Sequence, residues 1–544
     1  MNEFIESTMG NWLDDISKRY GDNEAVVYVD RDIRINYRQF NDYCRQVAKG
    51  LLAIGVKKGD HVSVWAPNYP EWLALIFATA KIGAALVTVN TDYKRYELEY
   101  LLSQSDTHTL LMASGHKGID YISIVEKLLR ETSNGTFPKL ENIIFMPKDK
   151  EEEPPRGFTS FKQMIDFGSN ISDEQLNEIQ QMVKPHDVTN IQYTSGTTGH
   201  PKGVMLTHYN LLNNAKFIGD SMNLTAQDRY CISVPFHHCF GLVLSILNCV
   251  THGATMIPID AFSPTKVFNV VEKEKCTALN GVPAMFKIML NHKEIGSYDL
   301  SSLRTGIMAG ALCPIQDMIQ AKEKMNMADI VIVYGQTESS PGITMTTLDD
   351  TLETRVSTVG RNFPGVEVKI VDIVTKKDVP DGSPGEIVAR GYNIMKGYYN
   401  MPDKTIETID KDGWLHTGDI GICENGYYCI VGRIKDMIIR GGENIYPKEI
   451  EELLDKHIGI RESQVVGIPS EVYGEEVVAC IIKEEGYNIT EEEVQRYVDA
   501  NMSRHKVPSK VYFFTDFPTT ASDKVQKFKI KESCIEKERQ YTKF

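Results

Sequence analysis

Residues Tyr193 to Gly203 read YTSGTTGHPKG, a run of small, hydroxylated and cationic residues suited to holding a phosphate chain. Gly196, Gly199 and Gly203 let the backbone turn tightly and bring its N–H groups close to an anion. Ser195, Thr197 and Thr198 add hydroxyl donors, and Lys202 adds a point charge. The run is not a Walker A loop. Pro201 precedes the lysine and Gly203 follows it, so the Mg2+-binding hydroxyl of that motif is missing there. Strand-like segments lie before the run (Thr189 to Tyr193) and after it (Val204 to Leu206), so the loop joins strand to strand. By composition alone such a segment is a flexible polar hairpin; the particular order of these residues argues for phosphate binding.

The elements that must position this loop follow from periodicity. Phe40, Cys44, Val47 and Leu51 recur at helical spacing behind a candidate cap, Asn36, with Gly55 as the stop. His61 to Ala66 predicts a strand, Pro70 to Lys81 a helix and Ala85 to Val89 a buried strand; Tyr96 to Leu102 and Thr109 to Met112 repeat the cycle. Such alternation predicts a mainly parallel sheet covered by helices. Lys148 to Gly157, charged and proline-rich, reads as a surface loop. Beyond Gly432 the texture changes. Pro447 opens a helix with Ile450, Leu453 and Leu454 on one face, and strands are expected around Val465–Val466, Val477–Ile482 and Val511–Phe514. Thr490 and Glu493 have capping-box spacing. The expectation is an α/β protein with a large N-terminal domain over residues 1–434 and a small α+β domain over residues 435–544.

At 544 residues the chain is too long for one core. Its 42% hydrophobic and 24% charged residues are those of an ordinary globular protein, and a net charge of −15 argues against a nucleic-acid binder. Ten scattered cysteines form no CxxC pair and no zinc spacing, so buried reduced thiols in a cytoplasmic protein are expected. The N-terminus lacks the basic and apolar regions of a secretory signal. The apolar window Trp72 to Val89 contains Lys81 and is broken at Gly83, so a helix followed by a strand fits it better than a membrane span.

Three further motifs recur in order with the phosphate loop. They are Tyr334-Gly335-Gln336-Thr337-Glu338, Trp414-Leu415-His416-Thr417-Gly418-Asp419, and Gly432-Arg433-Ile434-Lys435-Asp436 with Arg440-Gly441-Gly442-Glu443-Asn444. Together these resemble the AMP-forming adenylating superfamily, which includes acyl-CoA synthetases, beetle luciferases and peptide-synthetase adenylation domains. The resemblance covers nearly the whole chain. It implies a multi-layer N-terminal domain of sheets flanked by helices plus a distorted β subdomain, and a mobile C-terminal lid. It also implies a reaction: a carboxylate attacks the α-phosphate of ATP, expelling pyrophosphate, and the acyl-AMP then passes to the thiol of CoA.

The resemblance assigns roles residue by residue. Thr194, Ser195, Gly196, Thr197, Thr198, Gly199 and Lys202 would hold the β- and γ-phosphates. Thr337 would contact the α-phosphate region and Glu338 would ligate Mg2+. Tyr334 would stack on adenine, with Gly335 and Gly310 in the same site. Asp419 would accept hydrogen bonds from two ribose hydroxyls, assisted by Arg433. Lys524 matches the lysine that approaches the carboxylate and α-phosphate during adenylation. Asp523 stands where the family has glycine, and a carboxylate about 4 Å from the phosphates would be repelled by roughly 4 kcal/mol at an effective dielectric of 20. Asp523 is therefore expected to face solvent, or the lysine role is weakened or passes to Lys527. Lys435 matches the hinge residue, and Gly441, Gly442 and Glu443 would line the pantetheine tunnel.

The acid pocket would be lined from Pro235 to Gly241, from Gly281 to Pro283 and from Ala309 to Ala311, largely apolar and small. No carboxylate in the Phe236–Gly241 segment would face an ammonium, which disfavours amino acids. His237 resembles a histidine that gates or orients the acid; a structural histidine is the alternative. The resemblance is closest to medium- and long-chain fatty acyl-CoA synthetases, and aryl or branched acids fit the same residue types. A ligase that loads a carrier protein is the alternative function. A non-catalytic acyl- or nucleotide-binding protein would be expected to have lost Lys202, Glu338 or Asp419, and all three are present. No basic amphipathic helix advertises membrane binding, although long acids would be compatible with peripheral contact.

Overall fold

The computed structural model describes all residues except 1–2, 132–136, 138, 150–151, 195–200, 312, 441–442, 471, 520–524 and 542–544. The chain divides into two compact units, Met1–Val368 with Ala389–Leu415, and Lys369–Val388 with His416–Phe544. The second unit thus includes segments that lie before the Gly432–Asp436 junction read from the sequence; compactness and hinge position are separate properties.

The first unit carries two large sheets. In the eight-stranded sheet the order is Gly397–Tyr398, Lys202–Thr207, Val188–Thr194, Ala85–Thr88, His61–Trp65, Thr107–Met112, Asn142–Phe145 and Thr159–Ser160. From Val188–Thr194 onward its neighbours are parallel, whereas Lys202–Thr207 pairs antiparallel on both sides. The nine-stranded sheet has a parallel centre, with Thr305–Ala309 beside Asp329–Gly335, and antiparallel hairpins at its edges. This is the alternating α/β architecture expected.

Local sequence explains the helices that cover these sheets. Asn36 caps Tyr37–Ala53 through a box with Gln39, their mutual bonds being 2.9 and 3.0 Å. Pro70–Ile82 has apolar residues on every side, and everything from Trp72 to Ile82 is buried, as a helix between layers requires. Its one basic residue, Lys81, is 0% exposed and pairs with Asp14 at 2.8 Å; Asn41 and Gln180 also donate to that carboxylate.

The second unit has its own five-stranded sheet, in which Ile460–Ser470 and Gly474–Lys483 form a long antiparallel pair and Lys510–Phe514 adds in parallel. Separate apolar clusters pack around Ile450, Leu454 and Val494 and around Ile530 and Cys534. Pro447 opens its helix, and Thr490 with Glu493 forms the expected capping box. The ten cysteines are free thiols; Cys423 and Cys429, on the hairpin Leu415–Glu424 with Tyr427–Arg433 at one side of a four-stranded sheet, are only partly buried. Among the described residues no helix is long and apolar enough to cross a membrane.

Candidate active site

In the first unit the strand Val188–Thr194 ends where Lys202–Thr207 begins, with Thr194 directly opposite Lys202. Ser195, Gly196, Thr197, Thr198 and Gly199, assigned to the phosphates, lie outside the described residues. Both flanks of the loop are fixed by one helix, Arg95–Gln104: the Tyr193 hydroxyl donates to Gln104, and Tyr100 donates to the Pro201 carbonyl at 3.0 Å.

Lys202 points at a hydroxyl that the sequence reading missed. Its Nζ lies 2.9 Å from the Tyr398 oxygen, which in turn donates to Glu338 Oε1 at 2.7 Å. Tyr398 is brought there because Gly397–Tyr398 pairs with Lys202–Thr207, Val204 facing Tyr398. The Met395 N–H also donates to the Glu338 carbonyl at 2.9 Å. Burial pushes the Tyr398 hydroxyl well above its ordinary pKa, and Glu338 adds to the effect, so it keeps its proton and can donate. Burial lowers the Lys202 ammonium from its usual value, an effect that Glu338 opposes. No periodic pattern marks Tyr398; its signal was only its place in Met395-Lys396-Gly397-Tyr398-Tyr399.

Asp329–Gly335 delivers Tyr334, partly buried, and the turn Thr337–Ser339 follows at once. Gly335 is required here: a Cβ would stand 1.9 Å from the Pro341 carbonyl oxygen. Glu338 is buried, with the Thr337 hydroxyl as its neighbour in the chain. These are hard oxygen donors, and Mg2+ characteristically takes one or two carboxylates together with substrate phosphates and water. Among the described residues there is no cluster of three His, Cys, Asp or Glu able to hold a metal ion. Gly310 caps the strand Thr305–Ala309 at φ +87°.

His237 is 7% exposed and stacks obliquely on His238, with ring centroids 4.4 Å apart. Burial lowers its pKa well below the ordinary imidazole value, and His238, His116 and Lys117 push the same way, so it is neutral. The preceding segment is held by Asn68, which accepts from the Phe236 N–H at 2.9 Å and donates to the Val234 and Ile259 carbonyls. Cys239 Sγ donates to Gln192 Oε1 at 2.9 Å, and burial raises the thiol pKa, so this wall is uncharged.

In the second unit Asp419 and Arg433 face each other across the antiparallel pair Leu415–Glu424 and Tyr427–Arg433. The Arg433 Nε stands 3.0 Å from Asp419 Oδ1. Lys435 is exposed in the turn Ile434–Asp436, and Glu443 is exposed opposite Arg440. Gly441, Gly442, Asp523 and Lys524 lie outside the described residues. Lys527, the fallback for Lys524, is already paired: its Nζ is 2.5 Å from Glu451 Oε1.

A phosphate-loop hairpin, a glycine-tight Tyr-Gly-x-Thr-Glu turn and an Asp–Arg ribbon together define an adenylate-forming enzyme. Residues 13–399 match the AMP-binding enzyme family and residues 449–524 its C-terminal domain, and the chain belongs to that family, within the AMP-forming adenylating superfamily. It is 48% identical over 545 residues to YngI of Bacillus subtilis, provisionally named an acyl-CoA synthetase, covering 98% of each chain. It is 37% identical over 546 residues to the mitochondrial medium-chain acyl-CoA ligase ACSF2 of Rattus norvegicus, covering 98% of this chain and 88% of that one. ATP-bound MatB from Rhodopseudomonas palustris superposes with a TM-score of 0.82 at 28% identity, over 96% of this chain and 98% of that one.

Proposed function

We propose that this AMP-forming acid–CoA ligase activates a medium- or long-chain fatty acid, converting it through acyl-AMP to acyl-CoA in the cytoplasm, where its free thiols stay reduced. The observation that carries the adenylation step is the Lys202–Tyr398–Glu338 chain, which sets an ammonium and a carboxylate 2.9 and 2.7 Å from one hydroxyl. Two anionic reactants meet only where their charge is offset in advance. Lys202 offsets phosphate charge while Thr337 donates to the α-phosphate and Tyr334 stacks on adenine. When bound, Mg2+ would supply further charge neutralisation at the phosphates, with Glu338 as its protein ligand. The acid oxygen bonds to the α-phosphorus as the bond to the bridging oxygen breaks, and pyrophosphate departs with that electron pair. In the second step the CoA sulfur bonds to the acyl carbon, the thiol proton passes to water, and AMP leaves. The small domain turns about Lys435 between the two steps, withdrawing Lys524 and presenting Gly441, Gly442 and Glu443 to the pantetheine arm.

The acid preference is supported by the uncharged wall formed by Phe236, neutral His237 and Cys239, which suits an aliphatic chain. The medium-chain activity named for ACSF2 points the same way. The test is pyrophosphate release with Mg·ATP across short-, medium- and long-chain and aryl acids, with and without CoA. Turnover that needs CoA and one aliphatic length class supports the proposal. Release in a single turnover without CoA stimulation overturns it in favour of a carrier-loading ligase, and silence across the panel favours a binding protein.

A further inference from the structure

We propose that Glu386 is the positioning residue for Asp419, acting by gripping residues 416–418 at the head of the strand Leu415–Glu424 without touching nucleotide. It lies outside every motif quoted above, and the inference rests on the reading of Asp419 as the ribose acceptor.

The Glu386 side chain is 3% exposed and faces donors only. Its Oε2 receives His416 Nδ1 at 2.8 Å and Lys376 Nζ at 2.8 Å, and its Oε1 receives the Gly418 N–H at 3.2 Å. The next residue on the same strand, Ile387, accepts the Thr417 hydroxyl at 2.7 Å through its carbonyl, and that hydroxyl accepts the Asp419 N–H at 3.1 Å. Two successive residues of Gly385–Gly391 therefore hold all three residues that lead into Asp419. Within that strand Gly418 has φ +71° with nothing within 4 Å of a Cβ, so side-chain packing at this position does not fix the irregularity. Immediately afterwards in the same strand Asp419 pairs with Arg433, so the backbone that aims its carboxylate leaves this irregular, gripped stretch.

The chemistry of the grip calls for a carboxylate. Burial raises the pKa of Glu386, but His416 and Lys376 outweigh it and bring the group below its ordinary value, so it is ionised. An amide in its place would present two N–H groups to neighbours that are themselves donors. A buried carboxylate with several charge-assisted bonds is strong where complete and costly where one partner is missing.

The test uses the full chain, its preferred acid, and two nucleotides, ATP and 3′-deoxy-ATP, in pyrophosphate release. In Glu386→Gln the KM for ATP rises about tenfold while kcat changes by less than about threefold. The KM for 3′-deoxy-ATP changes far less, so the preference for the ribose hydroxyl collapses. A defect of stability alone would lower turnover with both nucleotides equally and leave that preference intact, which would overturn the inference. Asp419→Asn is the control. If it retains the preference, the ribose reading of Asp419 fails; if it loses the preference and Glu386→Gln keeps it, the present inference fails alone. Should Glu386→Gln not fold, His416→Ala, which removes one donor to Glu386, must show the same selective loss.

Discussion

The Tyr398 hydroxyl donates to Glu338 Oε1 at 2.7 Å although the two residues are 60 positions apart, and the same oxygen receives the Lys202 ammonium. One phenol thus spaces the Lys202 ammonium from the buried Glu338 carboxylate. Tyr398→Phe removes two charge-assisted bonds, each of about 1.5–3 kcal/mol, and leaves the ring in place. The expected outcome is a fall of about 10- to 100-fold in kcat/KM for Mg·ATP with the KM for the acid little changed, read from steady-state kinetics at several Mg2+ concentrations.

Two glycines in the motifs respond differently to alanine. At Gly335 a Cβ would lie 1.9 Å from the Pro341 oxygen, so the strand or the turn must move. Gly335→Ala is expected to cost about 3 kcal/mol or more and to abolish adenylation. Gly418 has open space but φ +71°, so Gly418→Ala should cost about 1–2 kcal/mol through backbone strain alone. Denaturant unfolding of both variants against the parent separates the cases; equal losses would contradict the geometry.

Acid lability follows from buried imidazoles. His208 accepts the Met9 N–H at 3.2 Å and is pushed down to about 3 by burial. His237 is lowered for the same reason. The folded state therefore binds fewer protons than the unfolded chain at pH values between about 3 and the unfolded imidazole value of about 6.5. Stability is full above that upper value and falls as pH drops, by about 1.4 kcal/mol per unit for each such histidine. His208→Gln should flatten the slope of Tm against pH in this window; an unchanged slope would sink the assignment.

Lys527 and Lys524 are predicted to part company. The Lys527 pair with Glu451 makes it a structural cation of the second unit, so Lys527→Ala should lower stability by about 1–3 kcal/mol and spare both half-reactions. Lys524→Ala should block adenylation while supplied acyl-AMP still gives thioester. Loss of adenylation in Lys527→Ala with a normal Tm would show that the lysine role had passed to it.

Local chemistry was the legible part. The Asn36 and Thr490 caps depend on partners three residues away, and the buried helix Pro70–Ile82 on composition alone, so one sequence window sufficed for each. Asp419 and Arg433 were legible as motif members; that they face each other follows from the ribbon joining them. Tyr398 and Glu386 were not legible, since each acts across 30 or more positions through sheet pairing and neither has a spacing that betrays it. Lys527 looked available because its partner Glu451, 76 positions away, is invisible in the local run.

The pairing of Thr194 with Lys202 has a wider meaning. It makes the cation part of the sheet's frame, placed by strand pairing. Length or sequence variation between the strands can therefore be absorbed without shifting Lys202 along the sheet. The position of that positive charge is thus insulated from sequence drift between the two strands.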